Sequence, residues 1–137
     1  MAEDNSKAGL LKQVPFFSEC SPTELDALSG RLTAVEIADG ADVVREGDDT
    51  REFYVIISGT ADVFRDGALV RSLGPGDFFG EIASLFRARR TATVTATSPL
   101  QLLVSEEPGF CELIQGTQGL HRKVIDALAR RLAPTSL

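Results

Sequence analysis

One glutamate and one arginine enclose a short segment near the middle of the chain. Glu81 follows Gly80, and Arg90 stands nine positions after Glu81, just before an alternating run that is typical of a β-strand. The residues EIASLF between the two charges show no β alternation, so they predict a short helix that begins within 80–83. An acid and a base in this arrangement could bind a ligand or pair with each other.

The helix start and Arg90 have the properties of a phosphate clamp. Free backbone N–H groups at a helix N-terminus favour anions, and Gly80 lets a ligand approach the backbone closely. The planar fork of an arginine suits phosphate oxygens. Because a carboxylate repels a phosphate, Glu81 is expected to accept hydrogen bonds from a neighbouring hydroxyl. The pattern therefore predicts a ligand with a phosphate beside a sugar hydroxyl.

Spacing alone leaves a second interpretation open, in which Glu81 caps the helix while Arg87, Arg89 and Arg90 are solvated surface charges. The glycines of GPGDFFG (74–80) nearly form GxGxxG. They are expected to join an antiparallel hairpin, whereas a dinucleotide site needs the strand and helix of a βαβ unit.

The elements that position these residues follow from turn signals and periodicity. Residues 1–9 are expected to be a loose lead-in, and Ser21-Pro22-Thr23-Glu24 is a capping box that predicts a helix ending near Gly30. Short β-branched or aromatic runs follow, separated by turns such as Asp66-Gly67, a good hairpin signal. The runs 91–97 and 100–105 predict two more strands. Many short strands with regular turns indicate an antiparallel sandwich or jelly roll.

The end of the chain predicts helices again. A helix over roughly 118–133 carries an apolar stripe and ends before Pro134. The stripe consists of residues at four-residue spacing: Leu120, Val124, Leu128 and Leu132.

Composition limits the classes of function. The chain has 137 residues, which suits one domain, and a net charge of −6, which argues against nucleic-acid binding by this chain alone. No apolar run is long enough to insert in a membrane, and the N-terminus lacks a secretory pattern, so a cytoplasmic location is expected. Cys20 and Cys111 are expected to be buried thiols, and a disulfide between them is the alternative. His121 is the only histidine, so no metal site and no enzymatic activity are predicted.

The segment LGPGDFFGEIASLFRARRTATVTA (73–96) resembles the phosphate-binding cassette of cyclic nucleotide-binding domains. This family includes catabolite activator proteins, regulatory subunits of protein kinase A, and cyclic nucleotide-gated channels. VVREGDDTREFYVIISGTADVF (43–64) and LLKQVPFFSECSPTEL (10–25) are also similar to the family. The resemblance implies one domain over 1–137. Its parts are an N-terminal helical part (1–32), an antiparallel β-roll (33–104) with the cassette at 78–92, and C-terminal lid or hinge helices (105–133).

The resemblance also implies which residues contact the ligand. Glu81 would bind the ribose 2′-hydroxyl, and Arg90 would pair with the exocyclic phosphate oxygens. The other cassette residues of the site, several acting through backbone N–H groups, would be Phe79, Gly80, Ile82, Ala83, Thr91 and Ala92. Base contacts map onto the strand residues Val63, Val70 and Leu73, for each of which ordinary core packing is the alternative.

The resemblance predicts a cytoplasmic sensor that binds cAMP, or alternatively cGMP, and signals to an unknown protein effector by rearranging its C-terminal helices. Thr91 does not settle the choice of base, because relatives with a hydroxyl at this position include both cAMP and cGMP binders. Two other functions stay open: a ligand-independent interaction module, and the sensor part of a larger transcription regulator, kinase or channel.

Overall fold

The structure is a computed structural model that describes residues 7–13, 21–50, 52–80 and 88–105. The predicted cassette helix, with Glu81, Ile82 and Ala83, lies outside these ranges. So do the C-terminal helices predicted after residue 105 and the side chains Cys20, Cys111 and His121.

Within the ranges that the structure describes, two short helices come before the strands. They are α1 (Lys7–Lys12) and α2 (Pro22–Ser29). The expectation of a loose lead-in up to residue 9 is wrong for its last three positions, because α1 begins at Lys7. Tertiary contacts explain this early start: Leu11 is fully buried, and Lys7 Nζ donates a hydrogen bond to the Leu32 carbonyl at 2.8 Å.

The predicted capping box of α2 is confirmed. Ser21 N–H donates to Glu24 Oε1 at 2.8 Å, and Glu24 N–H donates to Ser21 Oγ at 3.1 Å. These reciprocal bonds satisfy backbone donors that have no partner inside the helix. The helix ends where predicted, with Gly30 N–H bonded to the Asp26 carbonyl.

In the described residues, eight strands form two antiparallel four-stranded sheets. The strands are β1 (Leu32–Ile37), β2 (Asp42–Val44), β3 (Phe53–Ser58), β4 (Ala61–Arg65), β5 (Ala68–Leu73), β6 (Phe78–Phe79), β7 (Thr93–Ala96) and β8 (Leu100–Ser105). One sheet has the order β1-β8-β3-β6 and the other β2-β7-β4-β5. This architecture confirms the mainly β, antiparallel roll.

The core lies between the two sheets, because both contribute side chains to one buried cluster. The first sheet supplies Ile56, Phe79, Leu100 and Leu102. The second supplies Val44, Ala61, Leu73, Val94 and Ala96. Buried and partly exposed residues alternate along β7, as expected for a strand with one face on the core.

The predicted hairpin at Asp66-Gly67 joins β4 to β5. Both turn residues have positive φ, 52° for Asp66 and 79° for Gly67, as a two-residue turn between twisted strands requires. The pairing shifts register between Val63 and Phe64, which places a β-bulge in the middle of this hairpin.

The GPG turn does not join an antiparallel hairpin, and that prediction is wrong. It links β5 to β6, and these strands belong to different sheets. Phe78 and Phe79 are both buried and pair with Val55 and Tyr54 of β3, which draws the chain across the core. The crossing delivers the next residue, Gly80, to the candidate site.

Candidate functional site

Arg90 is a buried residue, only 4% exposed, and its guanidinium is held by the segment that precedes β3. Arg90 Nε donates to Thr50 Oγ1 at 2.8 Å. Arg90 Nη2 donates to the Glu52 carbonyl at 3.0 Å and to Glu52 Oε2 at 3.1 Å. These bonds fix the position of one edge of the guanidinium fork, so Arg90 is not a solvated surface charge.

The backbone of Arg90 is also fixed, by the segment 45–50, which we call the clasp loop. Arg90 N–H donates to the Asp48 carbonyl and Gly47 N–H donates to the Arg90 carbonyl, each at 2.9 Å. Arg89 is exposed, and its Nη1 donates to the Gly47 carbonyl at 3.1 Å. The clasp loop therefore sets where Arg90 leaves the chain.

The charge of Arg90 is partly neutralised by Glu52. The side chain of Arg90 is 3% exposed and that of Glu52 36%, so the pair spans the boundary between the interior and solvent. A buried guanidinium without such acceptors would carry a large desolvation cost. Its partners offset that cost and hold the guanidinium in place.

The aromatic ring of Tyr54 packs against the guanidinium of Arg90. The carbon centre of the Arg90 guanidinium lies 5.7 Å from the Tyr54 ring centroid, and this ring stacks on Phe79 at 4.8 Å. Burial raises the pKa of the Tyr54 hydroxyl, and nearby Glu52 raises it further, while Arg90 acts in the opposite direction. The hydroxyl is therefore neutral at physiological pH.

Gly80, the last described residue before the predicted cassette helix, lies against Arg90. Its φ is 89°, a value that favours glycine. A Cβ at this position would lie 2.6 Å from the Glu52 carbonyl oxygen and 2.9 Å from Arg90 Nη1. Gly80 therefore lies closer to Glu52 and Arg90 than a residue with a side chain could, and Glu81 is the next residue in the chain. Whether a ligand also approaches this backbone stays a prediction.

The other predicted site residues fall into two groups. Phe79 is buried beneath the site, while Thr91 is exposed and Ala92 half-buried directly after Arg90. On the strands, Val63 is half-buried against the core and Val70 is 53% exposed.

Leu73 differs from these residues, because it is only 3% exposed and belongs to the buried cluster between the sheets. The placement agrees with ordinary core packing, the alternative weighed for each base-contact candidate.

Sequence reasoning missed the residues that hold Arg90, namely Thr50, Glu52 and Tyr54. They lie in REGDDTREFY (45–54), where polar residues come directly before an apolar strand. A buried arginine needs acceptors, and this segment is rich in them. The contacts from Arg90 to Thr50 and Glu52 join residues 40 and 38 positions apart, a pairing that local patterns do not indicate.

Two kinds of feature are absent from the described part of the chain. No group of three or more His, Cys, Asp or Glu residues there could hold a metal ion. No helix in these ranges has the length and apolar character needed to cross a membrane.

The cyclic nucleotide-binding domain model matches residues 34–117, which include the clasp loop, Arg90 and both sheets except the first two residues of β1. The chain belongs to the cyclic nucleotide-binding domain family. The resemblance seen in the cassette sequence is thereby confirmed.

A curated relative is a cAMP-dependent protein kinase regulatory subunit from Hypocrea atroviridis. It is 36% identical over 113 residues, which cover 82% of this chain and 24% of the relative. This chain spans about a quarter of the length of such curated relatives.

Solved structures show the same fold in a catabolite activator protein and in a kinase regulatory subunit. The catabolite activator protein of Thermus thermophilus has a TM-score of 0.81 and 28% identity, over 89% of this chain and 60% of that chain. The regulatory subunit of a cAMP-independent protein kinase A from Trypanosoma brucei has a TM-score of 0.76 and 26% identity, over 89% of this chain and 43% of that chain.

Proposed function

We propose that this chain binds a 3′,5′-cyclic nucleotide, with cAMP favoured, and acts as a sensor module. Arg90 carries the proposal. It is a buried arginine whose orientation is fixed by three hydrogen bonds to Thr50 and Glu52, and it lies against Gly80. Such a pre-positioned donor suits a phosphodiester, because little side-chain entropy is lost when the ligand binds.

The ligand would fit between two parts of the site. Arg90 would take the exocyclic phosphate oxygens, together with backbone N–H groups of Ile82, Ala83 and Ala92. Glu81 would accept the ribose 2′-hydroxyl. On the base side the proposal keeps Val63 and Val70, with Thr91 between the two parts.

cGMP is the second candidate ligand, and one observation favours it. Arg71 of β5 is directly opposite Val63 of β4 in the antiparallel register, so both project from the same face of the sheet. Arg71 is exposed. An arginine can donate two hydrogen bonds to O6 and N7 of guanine, whereas adenine has an N–H donor in place of O6. Arg71 is therefore a base-reading candidate that sequence reasoning missed.

The proposed signal is a change in population. A ligand that binds one arrangement of the C-terminal helices more tightly would shift the chain toward that arrangement, and a protein effector would read the shift. The relatives include regulatory subunits of a kinase and a catabolite activator protein. Because these relatives differ in what they regulate, they do not identify the effector of this chain. We infer no catalytic activity, a cytoplasmic location, and no nucleic-acid binding by this chain alone.

A ligand-independent interaction module is the competing function, because the Trypanosoma brucei relative is named as cAMP-independent. Isothermal titration of the whole chain with cAMP and with cGMP separates the two. We expect binding to the wild type. Arg90→Lys keeps the charge but loses the fork, so its affinity should fall about tenfold or more, as expected when charge-assisted bonds are lost.

The control is Arg31→Lys. Arg31 is an exposed arginine between α2 and β1, outside the clasp loop and the proposed ligand contacts, so this variant should bind like the wild type. If neither nucleotide produces heat with the wild type at millimolar concentration, the sensor function is wrong and the interaction module takes its place.

A further inference from the structure

We propose that Glu46 is a positioning residue that holds the base side of the site at a fixed distance from Arg90. The inference rests on the proposed function. It adds a reason why the affinity for a ligand that has both a base and a cyclic phosphate would depend on Glu46. Glu46 is not one of the residues proposed to contact the phosphate or the base. It would act on them through the clasp loop, to which it belongs.

Glu46 bonds to β7 and to the β4–β5 turn, which belong to one sheet and in which β4 also pairs directly with β7. Its backbone N–H donates to Thr93 Oγ1 of β7 at 2.9 Å. Its carboxylate oxygen Oε1 accepts the Asp66 N–H at 3.0 Å, in the turn between β4 and β5. One residue therefore joins the strand that follows Arg90 to the tip of the β4–β5 hairpin.

A second bond runs in parallel with the first. Arg65, the last residue of β4, donates from Nε to the carbonyl of Thr91 at 3.2 Å. Thr91 directly follows Arg90. The hairpin tip, residues 65–67, is thus attached to the phosphate side at two points.

The clasp loop completes the connection to Arg90. Glu46 is followed in the loop by Gly47 and Asp48, which exchange backbone hydrogen bonds with Arg90, and then by Thr50, which accepts from Arg90 Nε. A displacement of Glu46 would therefore change the position of both the backbone and the guanidinium of Arg90.

The hairpin held in this way carries the candidate base contacts. Val63 is on β4, while Val70 and Arg71 are on β5 beside the bulge. Together with the backbone pairing of β4 and β7, the contacts of Glu46 and Arg65 therefore fix the separation between the surface that would contact the base and the arginine that would contact the phosphate. A ligand with both groups depends on this separation, and a ligand without a base does not.

The test compares cAMP with ribose 3′,5′-cyclic phosphate, which lacks the base. Glu46→Ala should weaken cAMP about fivefold, the effect of one lost hydrogen bond, and should change the affinity for the base-free ligand less than twofold. Glu46→Gln retains an acceptor for the Asp66 N–H, so it should bind cAMP within about twofold of the wild type. Dissociation constants come from calorimetry for cAMP and from competition for the base-free ligand.

Glu36→Ala is the matched control, because Glu36 is an exposed acid on β1, in the other sheet. It changes the net charge equally and should leave both affinities unchanged. Hydrogen exchange gives a readout independent of affinity: the Asp66 amide should exchange faster in Glu46→Ala than in Glu46→Gln.

Equal losses for the two ligands in Glu46→Ala would overturn the positioning role, since general destabilisation would then explain them. Wild-type cAMP affinity in Glu46→Ala would overturn it as well, while leaving the proposed function intact. A wild-type chain that binds no cyclic nucleotide would overturn both.

Discussion

The guanidinium of Arg90 shows how a buried charge is made tolerable at the scale of one residue. Desolvation opposes its burial, while the Thr50 hydroxyl, the Glu52 carbonyl and the Glu52 carboxylate offset that cost. Removing a partner leaves a donor unsatisfied, which costs more than the bond itself contributes. The site is therefore sensitive to residues that would never touch a ligand.

Gly80→Ala tests the close approach at the site. The new Cβ would meet the Glu52 carbonyl oxygen at 2.6 Å and Arg90 Nη1 at 2.9 Å. We expect a loss of unfolding free energy larger than the roughly 1–2 kcal/mol of a left-handed alanine, and weaker cyclic nucleotide binding because Arg90 must move. Urea denaturation and calorimetry measure the two effects.

Gly40→Ala is the control for backbone strain. Gly40 has nearly the same φ, 88°, but a Cβ there would meet no atom within 4 Å. Equal stability losses in the two variants, with normal ligand affinity in both, would show that the space at Gly80 is unimportant.

At this scale the sequence predicted Gly80 and Arg90 but not their neighbours. Glycine before an acid, and arginine before a strand, are local signals. The contacts of Arg90 with Thr50 and Glu52 form only when segments about 40 positions apart meet. Nothing in the local pattern distinguishes Glu52 from the carboxylates of the clasp loop that precedes it.

At the scale of elements, local signals predicted the capping box of α2 and the Asp66-Gly67 hairpin correctly. Both depend on interactions within a few residues. The strand β6 was missed because two residues show no periodicity, and its pairing with β3 is a tertiary contact. The GPG turn was mistaken for a hairpin turn for the same reason.

The pairing of β2 with β7 should depend on pH through Asp42. Its carboxylate accepts a hydrogen bond from Thr95 Oγ1 at 2.7 Å, and this bond, with help from Arg45, holds the pKa of Asp42 below its usual value. A lowered folded-state pKa means that the ionised form stabilises the fold. The stabilisation is full above the unfolded pKa, about 4, and is lost as pH falls below it.

We therefore expect Asp42→Asn to destabilise the protein at pH 7 and to do so progressively less below about pH 4. Urea denaturation from pH 7 to pH 3 measures the difference from the wild type. In a Thr95→Val background the pH dependence of that difference should be smaller. A difference that stays constant with pH would contradict the assigned role of Asp42.

At the scale of the whole molecule, regular turns predicted the antiparallel roll, but the sheet order could not be read from the sequence. β1 pairs along its whole length with β8, although their residues are more than 60 positions apart. Hydrophobic periodicity and turn signals predict that strands exist, but they do not indicate which strands pair. The division of 1–137 into helical part, roll and C-terminal helices stays a prediction.

Ligand binding should stabilise the whole domain, because a ligand that binds the folded chain alone shifts the folding equilibrium. cAMP at roughly 100 times its dissociation constant should add about 2.7 kcal/mol and raise the melting temperature. Thermal denaturation measures the shift. Adenosine 5′-monophosphate has the same base and sugar but lacks the 3′,5′-cyclic phosphodiester. An equal shift of the melting temperature with this ligand would contradict recognition of the cyclic phosphate.

The bulge in the β4–β5 hairpin also bears on solubility. β5 lies at the edge of its sheet as described, and it exposes Leu69 and Val70, which are 57% and 53% accessible. A flat apolar edge of this kind is a template for aggregation between copies. The bulge between Val63 and Phe64 bends this edge, and Arg71 places a charge on it, so strand addition by another chain is disfavoured. The irregularity that shapes the proposed base side thus also protects the concentrated protein from self-assembly.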